Sequence, residues 1–291
     1  MQFNNKKIAT SLFILANLYF AFLFTSAFGY GLSITYSLAT FLLLMTLRNK
    51  ALYFSVCITS AIAAFLYCPV GLTFGPPDLN SLTSLAYTDQ SESIEFLLNI
   101  GIWKWLISLS IILSAVSCLI FKTAVTFTLP GLMSLLSFIV FFSTPIKAAY
   151  TDNHSSLMQS HYPPIRFVND AYEAYNQVNA DKVFYEHNVS KTDDWNPVQH
   201  NDKYDTVVVV VGESVRRDFM SAYGFPIENT PFMNSAPGLL YTNYVSSGPA
   251  TVLSLTHTLY RTSNGAVEYN NSIVRLMSKS GYHTNWISNQ G

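Results

Sequence analysis

Residues 204–214 read Tyr204-Asp205-Thr206-Val207-Val208-Val209-Val210-Val211-Gly212-Glu213-Ser214. Five consecutive valines leave no polar face, which fits a strand buried on both sides, as in a parallel sheet with helices on each face. A glycine ends the run and an acidic residue follows at its tip. In open α/β sheets ligands bind beyond the carboxyl ends of the strands, so Glu213 is a candidate metal ligand. Its ordinary alternative is a glutamate favoured by the positive end of a following helix. Around this stretch strands and helices alternate. Thr206–Val211, Leu239–Val245 and His283–Ser288 read as strands. Helices are expected near 217–222, from Pro231 behind an Asn229-Thr230 cap, over Thr251–Tyr260 and over Asn271–Ser280. Such alternation predicts a parallel α/β sheet. Three strands make a thin one, and the chain stops at Gly291 just past the last, so residues 204–291 are expected to be the beginning of a longer domain.

The chain before this region has a different character. Charged residues make up only 11% of the 291 residues, and they thin out almost completely before Tyr150. Apolar runs occupy Ile8–Phe28, Leu32–Leu47, Ala51–Tyr67, Trp105–Phe121 and Val125–Ser143. Each approaches the ~20 residues that cross a bilayer core, which predicts five transmembrane helices within residues 1–149. The first run is too long, and too closely followed by others, for a cleaved signal peptide. Lys6, Lys7, Arg48, Lys50 and Lys122 fall on one side of these spans. The loop 69–101, with Asp78, Asp89, Glu92 and Glu95 and no Lys or Arg, falls on the other. Basic residues stay cytoplasmic, so that loop and everything after Ser143 are expected outside, with Trp103 and Trp105 at the outer interface. Pro76-Pro77-Asp78 and Thr88-Asp89-Gln90-Ser91-Glu92 put polar groups where a lipid headgroup would sit; a plain solvated loop remains the alternative.

Residues 150–203 form a bridge. Within it Phe167, Ala171, Tyr172, Tyr175 and Val178 follow a helical period, and this face could lie on the bilayer or on the domain that follows. A net charge of −1 gives no basic surface for nucleic acid. All three cysteines (Cys57, Cys68 and Cys118) lie in the apolar half, so the second half has no disulfide.

A second chemical candidate follows the second strand. Ser247-Gly248-Pro249-Ala250-Thr251 predicts a tight turn opening a helix at Thr251. A hydroxyl there meets the positive end of the helix, which favours a bound phosphate. A metal nearby would lower its pKa toward a usable alkoxide. The common role for such a residue is a simple N-cap.

Together, Gly212-Glu213-Ser214-Val215-Arg216-Arg217-Asp218, Tyr223-Gly224-Phe225-Pro226, Asn229-Thr230-Pro231-Phe232 and Ser247-Gly248-Pro249-Ala250-Thr251-Val252-Leu253-Ser254-Leu255 resemble the membrane-bound phosphoethanolamine transferases of Gram-negative envelopes. These belong to the alkaline phosphatase and sulfatase superfamily, and the spans, outer loop and bridge look like the same family. The resemblance implies an inner-membrane protein with a periplasmic zinc domain. Glu213 would ligate zinc; Thr251 would face the metal and act as nucleophile. The donor would be phosphatidylethanolamine and the acceptor a lipopolysaccharide or a glucan. Thr88 and Glu92 match polar positions on the lipid side. Lipid A modifying members carry cysteines flanking the threonine motif, where Ser247 and Thr256 or His257 stand here, and an Ala-Asp pair where Arg216-Arg217-Asp218 stands. This points instead to the members that modify core heptose or glucans. The remaining ligands of the family, an Asp-His pair, would lie past Gly291, so these residues alone are expected to be inactive. His257 and His283 read as ordinary histidines. Three alternatives stay open: an inactive membrane remnant, a phosphoglycerol transferase, and a sulfatase relative. In the last, Ser247 would be the nucleophile, with Thr251 where that signature needs arginine.

Overall fold

A computed structural model describes residues 2–122, 130–151, 156–198, 204–212, 215–248 and 250–288. They divide into two compact units, 1–180 and 181–291.

The first unit is helical. Its elements are α1 (Gln2–Ser26), α2 (Ile34–Thr46), α3 (Lys50–Phe74), α4 (Leu79–Tyr87), α5 (Gln90–Asn99), α6 (Ile102–Ile120), α7 (Pro130–Phe141), α8 (Ser143–Thr151) and most of α9 (Pro163–Val189). Packing is closest between α3 and α6, where small residues recur at Cys57, Ala61, Ala64 and Cys68 and meet Ile111, Ala115 and Cys118. Small side chains at this period let two backbones approach, which is how helices associate in lipid. Ser108 uses the close approach to donate its hydroxyl to the Phe65 carbonyl of the other helix, 2.6 Å away. Polarity points inward. Asn17, Thr25, Ser37 and Ser108 are fully buried, while Leu12, Leu15, Ile58, Ile62, Leu66, Leu109 and Leu113 are exposed on the outside. Helices that are apolar outward are made for a bilayer rather than water.

The five apolar runs all form helices, but not five full spans. α1 from Lys7, α3 and α6 are long and apolar enough to cross a membrane unbroken. The second run forms only the 13-residue α2, about 20 Å at 1.5 Å per residue, short of a ~30 Å core. It stops because Asn49 caps α3, accepting from the Leu52 N–H at 3.1 Å. The fifth run, whose residues 125–129 lie outside the described ones, is a pair, α7 and α8, bent by 62°. Pro145 explains the bend. Proline removes an N–H and clashes with the carbonyl four residues before it, here that of Phe141. The buried Ser160 hydroxyl donates to the Phe141 carbonyl instead.

Between α1 and α2, Gly29 has φ +83°, and a β-carbon on it would fall 2.3 Å from the Gly75 carbonyl carbon. Glycine is therefore required where this turn packs on the end of α3. The outer loop is not an open loop. It folds as α4 and α5, capped by Asp78, which accepts from Ser81 N–H at 2.8 Å, and by Asp89, which accepts from Glu92 N–H at 2.7 Å. The Ser81 hydroxyl and N–H hold the Asp78 carboxyl below the usual range.

The second unit contains the last turns of α9, α10 (Pro231–Ser235), α11 (Thr251–Leu259), β1 (Tyr260–Ser263), β2 (Ala266–Ser272) and α12 (Ile273–Lys279). The parallel sheet expected here is absent among the described residues. Residues 206–211, 239–245 and 283–288 belong to no sheet and are exposed, Val210 by 87% and Ile287 by 94%. A parallel strand is stable only with neighbouring strands on its edges and helices over both faces, and among the described residues none covers these segments. The paired strands are instead an antiparallel hairpin, β1 against β2, with Ser263 opposite Ala266 and Arg261 opposite Glu268. Asn264 (φ 51°) and Gly265 (φ 78°) make its two-residue turn.

The hairpin anchors the end of the bridge. Tyr269 packs edge-on against Tyr185 (5.2 Å) and Tyr260 (5.4 Å). Asn271, fully buried, accepts from the Asp194 N–H (2.9 Å) and donates to Glu268 (2.7 Å). Arg275 donates to the carbonyls of Val189 and Lys191. Of the aromatic face expected on the bridge, Phe167 packs on Phe28 and Tyr67 in the first unit, whereas Tyr172 and Tyr175 are exposed.

Candidate active site at the start of α11

Thr251 is the first residue of α11, as its sequence suggests, but not its cap. Ala250 caps the helix in an extended conformation, and its side chain accepts no hydrogen bond. Alanine is a poor cap, costing about 1 kcal/mol relative to serine or aspartate. In exchange, Ala250 itself offers no competing side-chain acceptor where an anion would bind. Thr251 is exposed there.

The approach to Thr251 is tightly held. Gly248 lies against the helix so closely that a β-carbon would come 2.7 Å from Ser254 N and 2.8 Å from the Leu253 carbonyl carbon. Four hydroxyls bind the same loop to the helix flank. Ser246 meets Ser254 at 2.9 Å. Ser247 donates to the Ser254 carbonyl at 2.9 Å and meets the Thr258 hydroxyl at 2.9 Å. Ser247, where lipid A modifying relatives place a cysteine, thus works as a hydrogen-bonded latch to Thr258, neither of the positions 256 or 257 suggested by sequence. With its hydroxyl turned to the helix flank, Ser247 is poorly disposed as a nucleophile, which disfavours the sulfatase-type use of this motif.

The neighbouring motifs also brace loops. Thr230 turns its hydroxyl to the Ala222 N–H (2.9 Å) and Ser221 (2.8 Å) instead of capping α10. Asn229 accepts from Ser221 N–H and donates to the Phe219 carbonyl. Arg216 pairs with Asp218 at 2.6 Å, which keeps the Asp218 carboxyl below its usual range. Arg217 donates to the Thr242 carbonyl.

Glu213, the candidate ligand, lies outside the described residues. Among those described, no three His, Cys, Asp or Glu side chains come together to hold a metal. Zinc sites take four ligands, so the described donors do not by themselves fit one. His257 and His283 are exposed, as expected. On the first unit, Thr88 ends α4 with its hydroxyl donated to Ser84 O (2.6 Å), and Glu92 stands exposed in the first turn of α5. Sequence reasoning missed the hydroxyl latch and the Asn264-Gly265 hairpin; the second carries a recognised turn signal.

Residues 205–291 match the Sulfatase family. Phosphoethanolamine transferase OpgE of Escherichia coli K12 is 31% identical over 269 residues, 90% of this chain and 51% of that protein. Over most of its length the chain is thus similar to phosphoethanolamine transferases, and its last part carries the Sulfatase match. Phosphoethanolamine transferase CptA of Salmonella typhimurium and phosphoethanolamine transferase EptC of E. coli K12 are each 37% identical over 93 residues, 29% of this chain and 16% of each of theirs. The chain spans about half the length of the relatives it matches most extensively. No solved structure gives a significant match. Phosphoethanolamine transferases of this superfamily are metalloenzymes.

Proposed function

We propose that this chain is the membrane and nucleophile-bearing part of a phosphoethanolamine transferase. The hydroxyl oxygen of Thr251 attacks the phosphorus of phosphatidylethanolamine. The bond from phosphorus to the glycerol oxygen breaks, and diacylglycerol leaves with the proton. Phosphoethanolamine, held covalently on Thr251, then passes to a hydroxyl of a lipopolysaccharide (core heptose or lipid A) or a glucan. The first-turn N–H groups of α11 stabilise the phosphate charge throughout. One observation carries this reading: Thr251 heads an alanine-capped helix whose approach loop is pinned by Gly248 and the Ser247–Thr258 latch.

Zinc ligated by Glu213 and Thr251 is the finer form of this proposal. Its support is the metal dependence of the superfamily and the motif resemblance, not a ligand set among the described residues. The distribution of basic and acidic residues supports a multi-pass inner-membrane protein with α4, α5 and the second unit on the periplasmic side. There Thr88 and Glu92 would meet the lipid headgroup.

The test is transfer by a full-length protein carrying these residues, in phosphatidylethanolamine vesicles, with lipopolysaccharide and glucan as acceptors and mass as the readout. Thr251→Ala is expected to abolish transfer and Thr251→Ser to keep part of it. A Thr251→Ala protein that transfers at the original rate would overturn the assignment.

A further inference from the structure

The first unit contains a groove of about 490 Å³, within the range of small-molecule sites. Its walls are Phe24 of α1, Phe28 in the turn after it, Ala63, Leu66 and Tyr67 of α3, and Phe167 of α9. Thr59 and Ser60 line its other end, and the Thr59 hydroxyl is already donated to Ser55 O at 2.9 Å. From position 59 to 67 a helix rises about 12 Å. Half of a ~30 Å hydrocarbon core is about 15 Å, so the length of the groove along α3 is comparable to the depth of one leaflet. Phe167 closes its upper end, wedged between Phe28 (5.1 Å) and Tyr67 (4.6 Å).

A charged pair flanks Phe167 on α9, Arg166 one residue before it and Asp170 three after. The Arg166 guanidinium lies over the Tyr30 ring, 4.5 Å from its centre. The Tyr30 hydroxyl donates to Asp170 at 2.7 Å, and Asp170 lies 3.5 Å from Arg166 Nε. Tyr30 fixes both groups, yet the Arg166 side chain remains 44% exposed and that of Asp170 27%. An adjacent guanidinium and carboxylate complement a zwitterionic headgroup, phosphate to one and ammonium to the other.

We propose that this groove seats one acyl chain of phosphatidylethanolamine, with Arg166 facing its phosphate and Asp170 its ammonium. That this lipid is the donor rests on the function proposed above; that it binds here does not. Aromatic and aliphatic walls exchange equally well with lipid tails, so the apolar wall gives shape and depth, and the charged pair gives selectivity.

The experiment uses the protein in nanodiscs with phosphatidylethanolamine carrying a photoreactive group midway along one chain. Captured peptides are mapped by mass spectrometry. Capture is expected to concentrate on 59–67 and 164–168. Ala63→Trp fills the groove from an exposed position and should lower that capture about tenfold, equivalent to ~1.4 kcal/mol. Ile62→Trp, beside it on the lipid-facing surface, should not. Asp170→Asn should remove the preference for this probe over a phosphatidylglycerol one, which shares the phosphate and lacks the ammonium. Even labelling of all lipid-facing helices, or equal capture in Ala63→Trp with thermal stability retained, would overturn the seat. Focused capture by a full-length protein carrying these residues that transfers nothing would leave the seat standing and refute the transferase reading.

Discussion

Gly248→Ala is the most informative substitution in the second unit. The added methyl would meet Ser254 N at 2.7 Å, Leu253 C at 2.8 Å and Leu253 Cβ at 2.9 Å. All three fall several tenths of an ångström inside ordinary contact, and two are backbone atoms that cannot rotate away. Ser254 N–H also makes the first hydrogen bond of α11, to Ala250 O at 2.9 Å, so the helix end cannot yield without losing it. The loop must lift instead, stretching the bonds of Ser247 to Ser254 and Thr258. Overpacking of this kind costs about 1–3 kcal/mol. Thr251 follows three residues later, and a misplacement near 1 Å can slow a positioned reaction about 100-fold. Thermal unfolding and steady-state transfer, measured on the same preparation of a full-length protein carrying these residues, separate the two effects. The expected result is a modest fall in Tm with kcat reduced 10- to 100-fold while protein remains folded. Unchanged rate and stability would refute the close packing. A rate loss fully explained by the unfolded fraction would refute the role of the loop in placing Thr251.

Asn271→Ala should destabilise the second unit by about 1–3 kcal/mol, because Asp194 and Glu268 lose their buried partner; denaturant unfolding followed by tryptophan fluorescence of Trp195 checks it. Gly29→Ala combines a left-handed backbone with a β-carbon 2.3 Å from Gly75. It should lower the thermal stability of the detergent-solubilised protein sharply, whereas Gly31→Ala, with the same sign of φ but open space around it, should cost far less. Lys279 holds the Asp193 carboxyl low, and Arg261, followed by Asn271, does the same for Glu268. Both carboxyls are depressed in the folded state. Their contribution is therefore present above the unfolded values of about 4 and is lost as pH falls through the lower folded values. Unfolding midpoints should hold from pH 7 to 5 and drop below pH 4; a drop between pH 7 and 6 would contradict this.

Much of the first unit was legible because lipid imposes one rule, an apolar run long enough to cross. That rule located the cores of α1, α2, α3, α6 and α7. It gave no lengths, because lengths depend on local features: the Asn49 cap that cuts α2 short and Pro145, which bends α7 from α8. The outer loop hid α4 and α5, since the residues read as headgroup partners, Asp78 and Asp89, are helix caps. In the second unit the five valines carried the signal of a parallel strand, but such a signal describes a strand that has neighbours. Without them Val207–Val211 stays uncovered, and the structure that forms is the one closed by short-range bonds, the Asn264-Gly265 hairpin. Thr251 was correctly placed at a helix start because glycine, proline and the apolar period mark it locally. The Ser247–Thr258 latch spans eleven positions, beyond what spacing alone indicates.

The covalent intermediate is the centre of this account. A full-length protein carrying these residues should be incubated with phosphatidylethanolamine vesicles without acceptor, quenched, digested and mapped by tandem mass spectrometry. One phosphoethanolamine is expected on the hydroxyl of Thr251, and it should disappear when acceptor is added. An adduct on Ser247 or elsewhere, with Thr251 unmodified, would contradict the assignment.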